Sequence, residues 1–109
     1  MIIVEKNVGP KISYEIFGKS ICFDGDVTIN LARREKDYAE HIDICYDEDR
    51  NLVIGAAAGR AYVAEIDIPP RRYEEVEVEG ETQLVPVPLD IDTCTLSLWA
   101  IETEEVEDE

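Results

Sequence analysis

The feature that most constrains this chain is an alternation of apolar and polar residues with a period of two. In VTINLAR, Val27, Ile29 and Leu31 share one face while Thr28 and Asn30 share the other. In HIDICY, Ile42, Ile44 and Tyr46 alternate with His41, Asp43 and Cys45. In AYVAEIDI, Tyr62, Ala64, Ile66 and Ile68 oppose Val63, Glu65 and Asp67. The same pattern sets Val76 and Val78 against Glu75, Glu77 and Glu79, and sets Cys94, Leu96, Leu98 and Ala100 against Thr93, Thr95, Ser97 and Trp99. Successive side chains of a strand point to opposite faces, so this alternation marks half-buried antiparallel strands.

The breaks between these runs carry turn chemistry. Asp24-Gly25-Asp26 is a hairpin signal, because glycine accepts the positive φ of a tight turn. Asp47 to Asn51 and Gly55 to Arg60 separate further runs, and Gly80 turns EEVEVE back into TQLVPV. Pro69-Pro70 ends one strand, and Pro86 and Pro88 mark an edge strand, since proline has no N–H to give to a ladder. The spacing predicts an all-β fold: an antiparallel sandwich or barrel of about nine short strands. One short helix is compatible with NLARREKDYAEH, where Leu31, Arg34, Tyr38 and Ala39 line a helical face, but a loop near residues 35–40 is preferred. A chain of 109 residues reads as one domain. Residues 1–101 are assigned to it, and the tail 102–109, six acids in eight residues, is expected to be disordered.

Charge narrows the function. Twenty-six acidic against ten basic residues leave a net charge of −16. Residues 1–36 hold six bases and five acids, whereas residues 37–109 hold four bases and twenty-one acids, so the acidity is regional. Such a surface repels phosphate backbones and anionic membranes, which argues against direct nucleic-acid or membrane binding. It attracts cations and the basic faces of other proteins. Three widely spaced cysteines (22, 45 and 94) with no CxxC fit neither a disulfide framework nor a zinc knuckle. The apolar run of MIIVEKNVGPK is too short for a signal peptide, and no stretch reaches the length of a membrane span. The expectation is a reduced, cytoplasmic protein.

No catalytic motif emerges. His41 and Cys45 share a strand face about 13 Å apart, too far for proton transfer. The stretch Gly55-Ala-Ala-Ala-Gly59-Arg60 lacks phosphate-loop spacing, though a loop of small residues bearing Arg60 could serve as a contact site. The expectation is a non-enzymatic protein without a cofactor. Three D-x-D turns, Asp24/Asp26, Asp47/Asp49 and Asp90/Asp92, are weak candidates for a cation site, because sandwich loops can converge their carboxylates on calcium. Turn chemistry explains the same residues without a metal, since Asp bonds its own local backbone. The row Glu75, Glu77, Glu79 is the stronger feature, with side chains about 6.6 Å apart along one strand face. With Arg60, these residues form the candidate partner-binding set.

The preferred reading is a small interaction protein presenting a carboxylate-rich face to a basic protein partner. The alternative is a structural or assembly subunit, of a viral or mobile-element particle, that forms homo-oligomers through edge strands. A hydration role in a high-salt cytoplasm is a third, lesser reading.

Overall fold

In a computed structural model, which describes residues 1–56 and 61–101, the alternating segments fold as strands. These are β1 (Ile2–Glu5), β2 (Tyr14–Phe17), β3 (Ser20–Phe23), β4 (Val27–Asn30), β5 (Glu40–Tyr46), β6 (Leu52–Ile54), β7 (Ala61–Ile68), β8 (Tyr73–Val78), β9 (Glu81–Pro86) and β10 (Thr95–Leu98). They form three sheets: five strands in the order β1-β10-β7-β5-β6, a β2-β3-β4 meander, and a separate β8-β9 hairpin. The fold is a sandwich-like, multi-sheet β structure and not a closed barrel.

The core lies between the inner faces of the two larger sheets. Ile21, Phe23 and Ile29 from the meander meet Ile42, Ile44, Ala64, Ile66, Ile68, Leu96 and Leu98 from the five-stranded sheet. Ile12, Leu31, Leu89 and Cys94 fill the margins. This burial supplies the main driving force, about 2 kcal/mol for each large aliphatic side chain taken out of water. The Lys19 ammonium donates to the carbonyl of Leu89 and so ties the meander to the segment leading into β10.

Three departures from simple alternation have local causes. β4 stops at Asn30, whose side-chain oxygen accepts the Arg33 N–H at 3.2 Å and caps a single helical turn, α1 (Leu31–Arg34). Both sequence readings of this stretch are therefore partly realised: a strand, one short turn of helix, then a loop to Glu40. In β7 the register shifts beside Ile44 and Cys45, because Ala64 pairs with Ile44 and Tyr62 pairs with Cys45. This bulge turns Val63 inward, fully buried, and leaves Tyr62, expected in the core, on the outer face. Finally, β1 was not marked by alternation. IIVE pairs in parallel with β10, Ile2 opposite Thr95 and Val4 opposite Ser97.

The turns follow their chemistry. Asp24 and Gly25 both take positive φ, and the Asp26 N–H donates back to the Phe23 carbonyl at 2.9 Å. Glu79 (φ 53°) and Gly80 (φ 82°) form the two-residue turn between β8 and β9. β7 ends at Ile68, immediately before Pro69-Pro70, as the prolines require.

Candidate functional site

Two surfaces concentrate polar chemistry: the hairpin, and the outer face of the five-stranded sheet. In the hairpin, Tyr73 pairs with Pro86, Glu75 with Leu84 and Glu77 with Thr82 on one face. Glu74 with Val85, Val76 with Gln83 and Val78 with Glu81 make up the other. No residue of either strand is buried; Leu84 is 66% exposed and Val78 43%. The alternation that elsewhere signals a half-buried strand here yields a ribbon wet on both sides.

This pairing redraws the expected glutamate row. Glu75 and Glu77 share a face, but β8 ends at Val78 and Glu79 occupies the turn with positive φ. Glu74 and Glu81 lie on the opposite face. The charge therefore surrounds the arm. Arg60, the other candidate contact, lies outside the described residues, as does the tail 102–109.

The root of the hairpin is held more firmly. Arg71 donates through Nη1 to Asp37 Oδ1 at 3.0 Å and through Nη2 to the Glu35 carbonyl at 2.9 Å. Its backbone N–H donates to the Lys36 carbonyl at 2.7 Å. The Tyr73 hydroxyl donates to the same Asp37 oxygen at 2.6 Å. That hydrogen bond, with help from the Arg71 charge, holds the Asp37 carboxyl below the ordinary aspartate range.

The D-x-D turns are not brought together: among the described residues, no three of their carboxylates gather as a metal site would need. Two of them serve the local backbone, while Asp24 accepts from the Ser13 hydroxyl and Asp92 from the N-terminal ammonium. Asp47 Oδ1 accepts the N–H groups of Asp49 and Asn51, each at 2.9 Å, and Asp90 Oδ1 accepts that of Asp92 at 3.0 Å.

A cluster not expected from the sequence lies on the outer face of the five-stranded sheet. Register places His41 opposite Asp67 and Asp43 opposite Glu65 on neighbouring strands β5 and β7. His41 Nδ1 is 2.7 Å from Asp67 Oδ1, and Nε2 is 2.8 Å from Asp43 Oδ1 and 3.4 Å from Glu65 Oε1. The second oxygen of Glu65 accepts a 2.6 Å hydrogen bond from Trp99 Nε1–H. Trp99 in turn stacks on Tyr62, with ring centroids 6.1 Å apart, and carries the Lys6 ammonium over its face. The Asp67 hydrogen bond, aided by Asp43, raises the His41 pKa above its ordinary value despite some opposition from burial.

Two of the thiols are held in the protonated form. Burial pushes Cys45 up, and the Asp43 and Glu65 charges push it further; burial likewise raises Cys94. A surface cleft of about 350 Å³ between Tyr46, Asp47, Glu48, Arg50, Tyr62 and Ile101 has walls of mixed polar and apolar character.

Fold and sites together define a sandwich-like, multi-sheet β fold that carries an acidic hairpin and, on its five-stranded sheet, an exposed histidine–carboxylate cluster. No protein-family model matches the chain, and no curated protein or solved structure is detectably similar to it.

Proposed function

We propose that this protein is a non-enzymatic interaction module whose β8-β9 arm inserts into a basic groove of a protein partner. One observation carries this reading: the arm bears five glutamates and no basic residue between Tyr73 and Pro86, and both its faces are open to solvent. An isolated two-stranded hairpin is only marginally stable in water. Its exposed Tyr73, Val78 and Leu84 therefore gain most from a second surface that covers them. Because the glutamates lie on both faces and at the tip, the complementary shape is a cleft, with apolar contacts inside and charge steering the approach. Three free thiols, two of them buried, support a reducing compartment such as the cytoplasm. No helix among the described residues is long and apolar enough to cross a membrane.

The experiment is a capture comparison between the wild-type chain and Glu75→Lys/Glu77→Lys. It is run at about 50 mM and about 300 mM salt, where screening differs strongly. The expected result is a basic protein retained by the wild type at low salt, lost at high salt, and absent with the variant. A salt-insensitive monomer that retains nothing basic overturns the reading.

A second reading, self-assembly through edge strands, has its own support. Among the described residues β1 is an edge strand, paired on one side only, and its Ile2, Ile3 and Val4 are all exposed. Light scattering decides it: Ile3→Lys should convert a closed oligomer to monomer. A wild type that is already monomeric at high concentration excludes this reading.

A further inference from the structure

The histidine–carboxylate cluster is separate from the arm and goes beyond the interaction reading. Asp43, Glu65 and Asp67 bring three carboxylates to one patch, and His41 supplies at most one positive charge among them. Among the described residues the patch therefore has unmet negative charge, held on two adjacent strands. On the opposite side, those strands are pinned by the buried Ile42, Ile44, Ala64 and Ile66. Rigid strands hold ligand atoms in place better than loops do.

The geometry points to a site for a divalent first-row transition-metal ion of the zinc type, held by His41 Nε2, Asp43 Oδ1 and Glu65 Oε1. One ligand atom from each of the three residues lies within 4.8 Å of the other two. A tetrahedral zinc ion with bonds of about 2.0–2.1 Å keeps neighbouring ligand atoms about 3.3 Å apart. The Nε2–Oε1 separation of 3.4 Å already fits that edge. The Nε2–Oδ1 separation of 2.8 Å must open by about half an ångström, which a small rotation of the Asp43 carboxylate supplies.

The outward-facing atoms of two ligands are already held, and in the sense a metal needs. Asp67 takes the Nδ1 side of His41, so an ion that displaces the Nε2 proton now facing Asp43 leaves the remaining N–H on Nδ1 and the lone pair on Nε2. Trp99 takes Glu65 Oε2 and leaves Oε1 turned toward the histidine. Asp67 and Trp99 are thus positioning residues. His41 is 46% exposed, so the fourth coordination position faces water. An imidazole nitrogen with two carboxylates suits zinc, cobalt or iron(II), whereas calcium and magnesium favour all-oxygen sets.

The test uses the full chain stripped with a chelator. It is titrated with Zn²⁺ against a chromophoric competitor and with Co²⁺ by visible absorption. The expected result is one ion per chain, a tetrahedral Co²⁺ spectrum without thiolate bands, and no displacement by millimolar Mg²⁺. His41→Gln and Glu65→Gln should each weaken Zn²⁺ binding by more than about 100-fold, and Trp99→Phe by about 10-fold. Asp90→Asn, in a turn, should change nothing. His41 is the one histidine of the chain, so its imidazole NMR signals should shift on adding Zn²⁺ to the wild type even if a variant fails to fold. Zn²⁺ binding that survives both ligand substitutions, thiolate bands in the Co²⁺ spectrum, or unmoved imidazole signals would overturn the proposal.

Discussion

The β5-β7 pair and the β8-β9 pair are both antiparallel ribbons in which aliphatic residues alternate with acids, yet they end in opposite environments. In the first, Ile42, Ile44, Ala64, Ile66 and Ile68 line one face and are buried against the meander. In the second, the corresponding face holds Val76, Val78 and Val85 beside Glu74, Glu81 and Gln83, and no described residue buries it. The alternation specifies a strand in both. Burial depends on how much apolar bulk the face presents and on what lies opposite. The molecule thus divides into a body that stabilises itself and an arm whose stability depends on its root.

The sharpest way to break this division is to truncate one side chain in each ribbon. Ile66→Ala should cost about 2–5 kcal/mol in denaturant unfolding, whereas Val76→Ala should stay within about 0.5 kcal/mol. Equal losses would mean that the arm is packed after all. Gly9→Ala comes next. Gly9 has φ 139°, and an added Cβ would sit 2.8 Å from the Ala100 Cβ, so the body should lose about 1–3 kcal/mol by thermal melting.

Smaller effects sharpen the comparison at the hinge. Amides of residues 74–85 should exchange with deuterium faster than those of 62–68, and Arg71→Ala should speed exchange in the arm while leaving the body unchanged. The Asp37 carboxyl is depressed in the folded state, so the stability it contributes is present above the unfolded aspartate pKa. It is lost as pH falls through the lower, folded value. Tyr73→Phe should raise the Asp37 pKa in an NMR titration; an unchanged value would mean that Tyr73 does not hold the root.

The smallest effect belongs to His41, whose folded pKa is raised. Its contribution is therefore fully present below the unfolded histidine pKa of about 6.5 and is lost as pH rises through the folded value. In chelator, the stability difference between wild type and His41→Gln should shrink with rising pH above neutrality. A difference that grows would show that the surrounding carboxylates do not favour the imidazolium.

Much of this architecture was legible in the residues. The runs around Ile29, Ile44, Ile66 and Leu96 announced strands and inward faces, and Gly25, Gly80 and Pro69-Pro70 marked where they stop. What stayed hidden depends on pairing between distant segments. His41-x-Asp43 and Glu65-x-Asp67 were each visible as strand residues, but only the β5-β7 register sets them side by side. The inward turn of Val63 follows from a bulge that no local signal announces. The separation of Glu79 from Glu75 and Glu77 was within reach, since a Glu-Gly pair ahead of a returning strand is itself a turn signal.

The parallel pairing of β1 with β10 bears on how the chain acquires its shape. Among the described residues β1 pairs only with β10 and so waits until residues 95–98 are present, whereas β2, β3 and β4 follow one another and can join as they emerge. With synthesis at roughly 5–20 residues per second, Ile2, Ile3 and Val4 wait several seconds without their partner strand. The meander should thus organise before β1 docks on β10, a step paced by the loop entropy of uniting two strands far apart in the sequence.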